Sequence, residues 1–172
     1  MSGLVHVYCG DGKGKTTAAF GLALRCVGAG NKVVVAQFLK DGQSGECCAL
    51  RTFPNAVLLG CNPTGKFSFR MDETEKELTR QVSRQTLQEA LAAAHDARML
   101  VLDEVMAAVT CGFLTVEEVI HAVTNRPAEL ELVMTGRNPP EELAALADYI
   151  SEIKKIRHPF DRGIAARDGI ER

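Results

Sequence analysis

The sequence predicts an α/β fold in which helices flank a mainly parallel sheet of about six strands. Three observations lead to this prediction. Short apolar runs alternate with helical patterns, a glycine-rich loop joins the first run to the first helix, and capping signals open later helices. The length of 172 residues allows one hydrophobic core, so we expect a single domain over residues 1–172.

Six apolar runs are strand candidates because they are short and rich in Val, Ile and Leu. The last run is more polar than the others, so we expect it at an edge of the sheet. The candidates are residues 4–9, 32–38, 56–60, 99–104, 130–136 and 149–156.

Four helices are predicted between these strands, over residues 15–27, 72–97, 115–123 and 139–147. Asp72 with Glu75, and Thr115 with Glu118, have the spacing of a capping box. In the longest helix the apolar positions are Leu78, Val82, Leu87 and Leu91. The fourth helix opens with proline, which suits a first turn because no amide donor is needed there.

Two stretches without periodicity, residues 40–48 and 61–71, each follow a predicted strand. In an open parallel sheet they would therefore lie over the carboxyl edge, where ligands bind. The tail, residues 157–172, is also irregular and has too few apolar residues to be core.

Composition excludes several classes of function. Lys and Arg total 20 against 22 Asp and Glu, which leaves no basic footprint for nucleic acid. No run is long and apolar enough to span a membrane. The six cysteines show no C-x-x-C spacing and no signal peptide precedes them, so we expect reduced thiols and a cytoplasmic protein. For the adjacent Cys47 and Cys48, a packing role is favoured over a metal or redox pair.

The glycine-rich loop predicts a phosphate site, because it follows a strand and opens a helix. It is one residue shorter than the common P-loop, since Cys9 stands where that pattern has its first glycine. In this reading Lys15 neutralises a terminal phosphate and the Thr16 hydroxyl ligates a divalent cation. The alternative is a glycine-rich turn with solvated lysines. The predicted nucleotide-binding residues are Gly10, Asp11, Gly12, Lys13, Gly14, Lys15, Thr16 and Thr17.

A bound polyphosphate needs a metal, and the metal needs an anchor on another strand end. Asp103 and Glu104 follow an apolar strand and are candidates. One would orient Lys15 or Thr16 while the other reaches the metal, and spacing does not decide between them. Arg137 ends another strand, where it either clamps a phosphate or is a surface arginine.

With these features the chain resembles the P-loop type of ATP:corrinoid adenosyltransferase, whose fold is RecA-like and related to P-loop NTPases. The resemblance runs from Leu4 to Glu171. It depends on the short loop, on VLDE and VMTGR, and on the tail ADYISEIKKIRHPFDRGIAARDGIE.

The resemblance implies that Co(I) of a reduced corrinoid attacks the 5′ carbon of ATP and releases triphosphate. ATP would lie reversed in the loop, with its γ-phosphate where other P-loop enzymes hold the α-phosphate. It implies triphosphate contacts from residues 12–17 and Mg²⁺ or Mn²⁺ held near Thr16 and Glu104. It further implies a homodimer and an electron-donating reductase as a partner.

The resemblance also gives a role to Phe67 and Phe69, which would lie against the lower face of the corrinoid and exclude its axial ligand. From the residues alone, alternating aromatics favour packing in a core. The sequence departs from the family in having no Trp and an extra Lys66. We also expect the N-terminal segment that covers the site in some relatives to be missing, so that corrinoid binding is looser or is completed by a dimer partner.

Two other functions stay open on the residues. A small-molecule kinase or NTPase would use the same phosphate loop. A carrier module would bind corrinoid and nucleotide and leave ATP intact.

Overall fold

In the computed structural model, which describes residues 2–60 and 62–171, six strands form one sheet in the order β3-β2-β4-β5-β1-β6. Every pair of neighbouring strands is parallel. The expectation of a mainly parallel six-stranded sheet is therefore confirmed. The strands are β1 (Val5–Cys9), β2 (Val33–Gln37), β3 (Ala56–Leu59), β4 (Met99–Asp103), β5 (Glu131–Thr135) and β6 (Tyr149–Glu152).

Helices cover both faces of the sheet, as parallel strands require. Alternate residues of β2 point to opposite faces: Val33 and Val35 pack with α1 and α2, whereas Val34 and Ala36 pack with the other helices. The helices are α1 (Lys15–Gly28), α2 (Gly45–Leu50), α3 (Glu73–Ala93), α4 (Val105–Thr110), α5 (Val116–Thr124) and α6 (Glu141–Ala144).

Several local predictions are confirmed. Both capping boxes form, at Asp72 with Glu75 and at Thr115 with Glu118. The polar β6 is an edge strand, although it ends at Glu152 and not at residue 156.

Two helices were not predicted. The interpretation of residues 40–48 as irregular is wrong in its second half, because α2 begins at Gly45 and buries Cys47 and Leu50 against the sheet. The six-residue α4 follows β4 directly. Both helices are too short for a periodic pattern to reveal them.

The sheet brings the predicted loops to one edge. The glycine loop follows β1, Lys40 follows β2, residues 62–71 follow β3 and Glu104 follows β4. The carboxyl ends of parallel strands meet at one edge, so these segments surround a common space. Within residues 2–60 and 62–171, no helix is both long and apolar enough to cross a membrane.

Candidate functional site

A cavity of about 740 Å³ lies at the carboxyl edge of the sheet. Residues 12–17 of the glycine loop form one wall, and Lys66 with Phe67 belongs to another. Lys40, Glu104 and residues 169–171 of the tail also line the cavity. Its volume lies within the range of about 300–1,000 Å³ that is typical of small-molecule sites.

The glycine loop is held against the chain that follows β6. Gly12 donates its amide hydrogen to the carbonyl oxygen of Ile153 over 2.7 Å. Gly10 has a φ of +100°, and a Cβ at this position would lie 2.4 Å from the same carbonyl oxygen. Gly14, with a φ of +116°, ends the loop and caps α1. The loop therefore turns the first amides of a 14-residue helix toward the cavity, which is the geometry of an anion site.

Lys15 is largely enclosed, with 8% of its surface exposed. Its Nζ donates to the carbonyl oxygen of Gly12 over 2.8 Å. Burial lowers the pKa of the Lys15 ammonium, and the nearby Glu104 carboxylate partly opposes this effect. An anion in the cavity would stabilise the charged form, so the position suits a phosphate oxygen.

Asp103 is fully buried and accepts four hydrogen bonds. Its Oδ1 accepts from the hydroxyls of Thr16 at 2.9 Å and Thr135 at 2.8 Å. Its Oδ2 accepts from Gln37 Nε2 at 2.9 Å and Lys40 Nζ at 2.7 Å. Asp103 is therefore placed to orient the Thr16 hydroxyl. The sequence had left open whether Asp103 or Glu104 takes this role and which of them reaches the metal.

Of the adjacent Asp103 and Glu104, it is Glu104 that lines the cavity. Its backbone has a φ of +60°, and its amide donates to Thr135 Oγ1 over 2.9 Å. Within the described ranges, no group of three or more His, Cys, Asp or Glu side chains is placed to hold a metal. Mg²⁺ is commonly bound by one or two protein oxygens together with phosphates and water, so Thr16 and Glu104 form a fitting donor set.

The aromatic loop, residues 62–70, differs from this buried network. The side chains of Phe67 and Phe69 are 69% and 79% exposed, so the alternative that both pack in the core is wrong. Their rings stack with centroids 5.6 Å apart and planes 9° apart. Phe67 lines the cavity, and Phe69 follows it two residues further along the chain. Cys61, where the predicted loop starts, lies outside the described residues.

Asp11 and Arg137 are not brought into this cavity. They line a neighbouring space of about 300 Å³, between the glycine loop and the tail. Asp11 accepts from the amide of Lys155 at 2.9 Å, and this hydrogen bond lowers the pKa of the Asp11 carboxyl. The carbonyl oxygen of Arg137 accepts from the Gly10 amide. Nucleotide contacts from Asp11 and Arg137 stay predictions.

Gln37 and Lys40 of the buried network were missed at the sequence level, and Thr135, beside the predicted Arg137 at a strand end, was given no role there. Each lies at or just after the carboxyl end of a strand. Polar residues at that position are a usable signal once a parallel sheet is predicted, because those ends meet at one edge.

Comparison with known proteins decides the family. The family described as ATP:corrinoid adenosyltransferase BtuR/CobO/CobP matches residues 1–172. This chain belongs to the ATP:corrinoid adenosyltransferase family. Its sequence is 38% identical to the corrinoid adenosyltransferase of Escherichia coli (strain K12), over 98% of this chain and 85% of that relative.

Other family members are similar to a comparable degree. Corrinoid adenosyltransferase CobA of Salmonella typhimurium is 36% identical, over 98% of this chain and 85% of the relative. The corrinoid adenosyltransferase of Pseudomonas aeruginosa is 33% identical, with coverage of 98% and 83%. Among solved structures, the Pif1 helicase of Candida albicans aligns with 91% of this chain and 36% of its own, at a TM-score of 0.41 and 16% identity. That likeness is too low to support an inference.

Proposed function

We propose how this ATP:corrinoid adenosyltransferase works: it transfers the 5′-deoxyadenosyl group of ATP to Co(I) of a reduced corrinoid, in the biosynthesis or salvage of adenosylcobalamin. The observation that carries the proposal is that one cavity is lined by both the phosphate loop and the exposed Phe67. A polyphosphate and a large flat ligand could therefore be held side by side.

The reaction is a displacement at carbon. Two electrons of Co(I) form the Co–C bond, the bond between C5′ and its oxygen breaks, and its electron pair leaves on triphosphate. The protein then needs no acid or base at the reacting carbon. Its task is to position the substrates and stabilise the departing negative charge.

The glycine loop is suited to this task. Lys13 and Lys15 line the cavity next to the amino end of α1, so two ammonium groups and backbone amides converge on the leaving group. In the reversed orientation of ATP, the triphosphate stays in the loop and C5′ points away from it, toward the aromatic loop.

A divalent cation, Mg²⁺ or Mn²⁺, fits the oxygen donors of Thr16 and Glu104, and Asp103 orients Thr16. When bound, it would neutralise part of the charge on the triphosphate. The buried contacts of Asp103 keep the Thr16 hydroxyl in place for this role.

The stacked Phe67 and Phe69 would lie against the lower face of the corrinoid. Neither side chain carries a lone pair that cobalt could bind, and both are exposed before any ligand arrives. Excluding the axial ligand would make four-coordinate Co(II) easier to reduce. The homodimer and the reductase are proposed from the family resemblance alone, and the cytoplasmic location is proposed from the cysteine pattern.

The test is a product analysis. Protein, ATP, Mg²⁺ and a corrinoid reduced to Co(I) are mixed without oxygen, while the visible spectrum and the phosphorus NMR spectrum are recorded. We expect a cobalt–carbon product and one triphosphate for each corrinoid. ADP with phosphate would instead identify a kinase or NTPase, and intact ATP with bound corrinoid would identify a carrier.

A further inference from the structure

Lys40 places a positive charge where the proposed function needs a metal ion. Its Nζ donates to Thr16 Oγ1 over 2.7 Å and to Asp103 Oδ2 over 2.7 Å. The Lys40 side chain is 31% exposed, and that of Asp103 is fully buried. The Lys40 ammonium therefore bridges the Thr16 hydroxyl, which is assigned to the metal, and the Asp103 carboxylate, which orients that hydroxyl.

A divalent cation held by Thr16 and Glu104 would compete with this ammonium for one shared oxygen, Thr16 Oγ1. The Thr16 hydroxyl oxygen has two lone pairs, and one of them now accepts from Lys40, so a cation at Thr16 would have to share this oxygen with the ammonium. A metal ion and an ammonium that contact the same hydroxyl oxygen also repel each other. This repulsion is strongest beside a buried carboxylate, where water screens charges poorly. The shared oxygen and the charge repulsion therefore both oppose binding of the metal ion while the Lys40 ammonium contacts Thr16.

The backbone around this pair supports a functional role. Leu39, at a φ of +59°, directly precedes Lys40, and Glu104, at a φ of +60°, directly follows Asp103. Within the described part of the chain, these are the two residues other than glycine with positive φ. Such backbone is strained for residues other than glycine, and it collects at functional sites.

The main chain of Lys40 is fixed separately from its side chain. Its carbonyl oxygen accepts from the amide of Asn62, at the start of the aromatic loop, over 2.6 Å. The ammonium can therefore leave Thr16 and Asp103 while the backbone stays anchored, and it remains in the cavity that would hold the polyphosphate.

We propose that Lys40 is a tethered cation that holds Thr16 and Asp103 in place before substrate binds and is displaced by the divalent cation. The proposal rests on the metal site of the proposed function. It makes Lys40 a positioning residue that lowers the affinity for free metal and keeps the buried carboxylate paired in its absence.

The first test measures Mn²⁺ binding by electron paramagnetic resonance, without nucleotide or corrinoid. Lys40→Gln removes the charge but keeps a hydrogen-bond donor for Asp103. We expect it to bind Mn²⁺ at least about tenfold more tightly than the wild type. Lys40→Arg keeps the charge and should bind Mn²⁺ as weakly as the wild type. The matched control is Lys66→Met, because Lys66 lines the same cavity but pairs with Glu75.

Two outcomes are distinct failures. Equal or weaker Mn²⁺ binding by Lys40→Gln would overturn the tethered cation and leave the metal site standing. If Thr16→Val did not weaken Mn²⁺ binding by Lys40→Gln, the metal site and the tethered cation would both be wrong.

A second measurement needs no Lys40 variant. Mass spectrometry follows acetylation of individual lysines in the wild type, with and without saturating Mn²⁺. Displacement should raise the acetylation rate of Lys40 several-fold and leave that of Lys66 unchanged. An unchanged or lower rate at Lys40 would contradict displacement.

Discussion

The phosphate side and the aromatic side of the cavity are built in opposite ways. On the phosphate side, Lys15 and Asp103 are buried, and Asp103 has four hydrogen-bond partners. On the aromatic side, Phe67 and Phe69 are exposed and stack on each other, and the Arg70 guanidinium lies over the Phe69 ring. Charged groups stabilise a departing anion best when they are fixed before reaction, whereas a large flat ligand gains most from apolar area that is uncovered until it binds.

The largest effect is expected on the phosphate side, at Lys15. Lys15→Met removes the ammonium and keeps most of the side-chain length. We expect kcat to fall about 10²–10³-fold, because a fixed charge on the leaving triphosphate is lost. Single-turnover adenosylation from prepared Co(I) measures this step without the reductase.

The control is Lys66→Met, which removes an ammonium that lines the same cavity but belongs to the aromatic loop and pairs with Glu75. It should change kcat by less than about threefold, as expected for an exposed charge. An equal fall in kcat in Lys15→Met and Lys66→Met would contradict the proposal that the glycine loop binds the leaving triphosphate.

A second prediction concerns the stability of the glycine loop. In Gly10→Ala the Cβ would meet the Ile153 carbonyl oxygen at 2.4 Å, at a φ of +100°. We expect a loss of about 2–3 kcal/mol in the free energy of unfolding, measured with urea, from strain and overlap together. Gly14→Ala has similar φ but nothing within 4 Å of its Cβ, so it should lose about 1–2 kcal/mol. The difference between the variants measures how firmly the chain after β6 holds the loop, and equal losses would mean that it does not.

The aromatic side should show the reverse pattern, with little change in stability and a selective change in activity. Phe69→Ala should alter the free energy of unfolding by less than about 0.5 kcal/mol, because the ring is 79% exposed. Adenosylation that starts from Co(II) should slow about three- to tenfold, as expected for one lost aromatic contact of about 0.5–1.5 kcal/mol.

Starting from prepared Co(I), Phe69→Ala should be closer to the wild type, because the ring is assigned to the reduction and not to the displacement. Phe160→Ala is the matched control, since Phe160 is 75% exposed in the tail, beside the smaller cavity. Equal slowing from Co(II) and from Co(I) would mean that Phe69 helps to bind the corrinoid in both states and is not specific to the reduction.

The sequence predicted those features of the fold that depend on residues close together in the chain. Buried parallel strands are continuous apolar runs, and the glycine loop, the first helix and both capping boxes are local patterns. The contact between Lys40 and Asp103 joins residues 63 apart in the chain, so no local pattern marks it.

The longest helix shows a second limit of sequence reasoning. Its apolar positions predicted the buried face, yet Leu78 is 45% exposed, while Thr79, Ser83 and Thr86 are buried. The Thr79 hydroxyl donates a hydrogen bond to the carbonyl oxygen of Glu75 over 2.7 Å. Small polar residues can therefore face the sheet at low cost, and hydrophobicity alone does not identify them.

The smallest effect is expected where the tail meets the glycine loop, at Glu171. Its carboxylate lies 4.0 Å from Lys13 and is bound by Arg167, which with the backbone lowers the pKa of Glu171 to about 2. Glu171→Gln removes an anion that competes with triphosphate for Lys13. ATP should bind a few-fold more tightly at most, because Lys13 is 48% exposed and water screens the pair.

The pH dependence of that difference has a definite sign. The pKa of Glu171 is lowered on folding, so its ionic contacts are complete above its ordinary value of 4.5 and are lost as the pH falls toward 2. The ratio of ATP affinities between Glu171→Gln and the wild type, measured by calorimetry, should therefore stay constant from pH 8 to pH 5. A change in the ratio larger than the titration of the terminal phosphate of ATP explains would mean that Glu171 titrates near neutral pH, and that Arg167 does not hold it ionised beside the glycine loop.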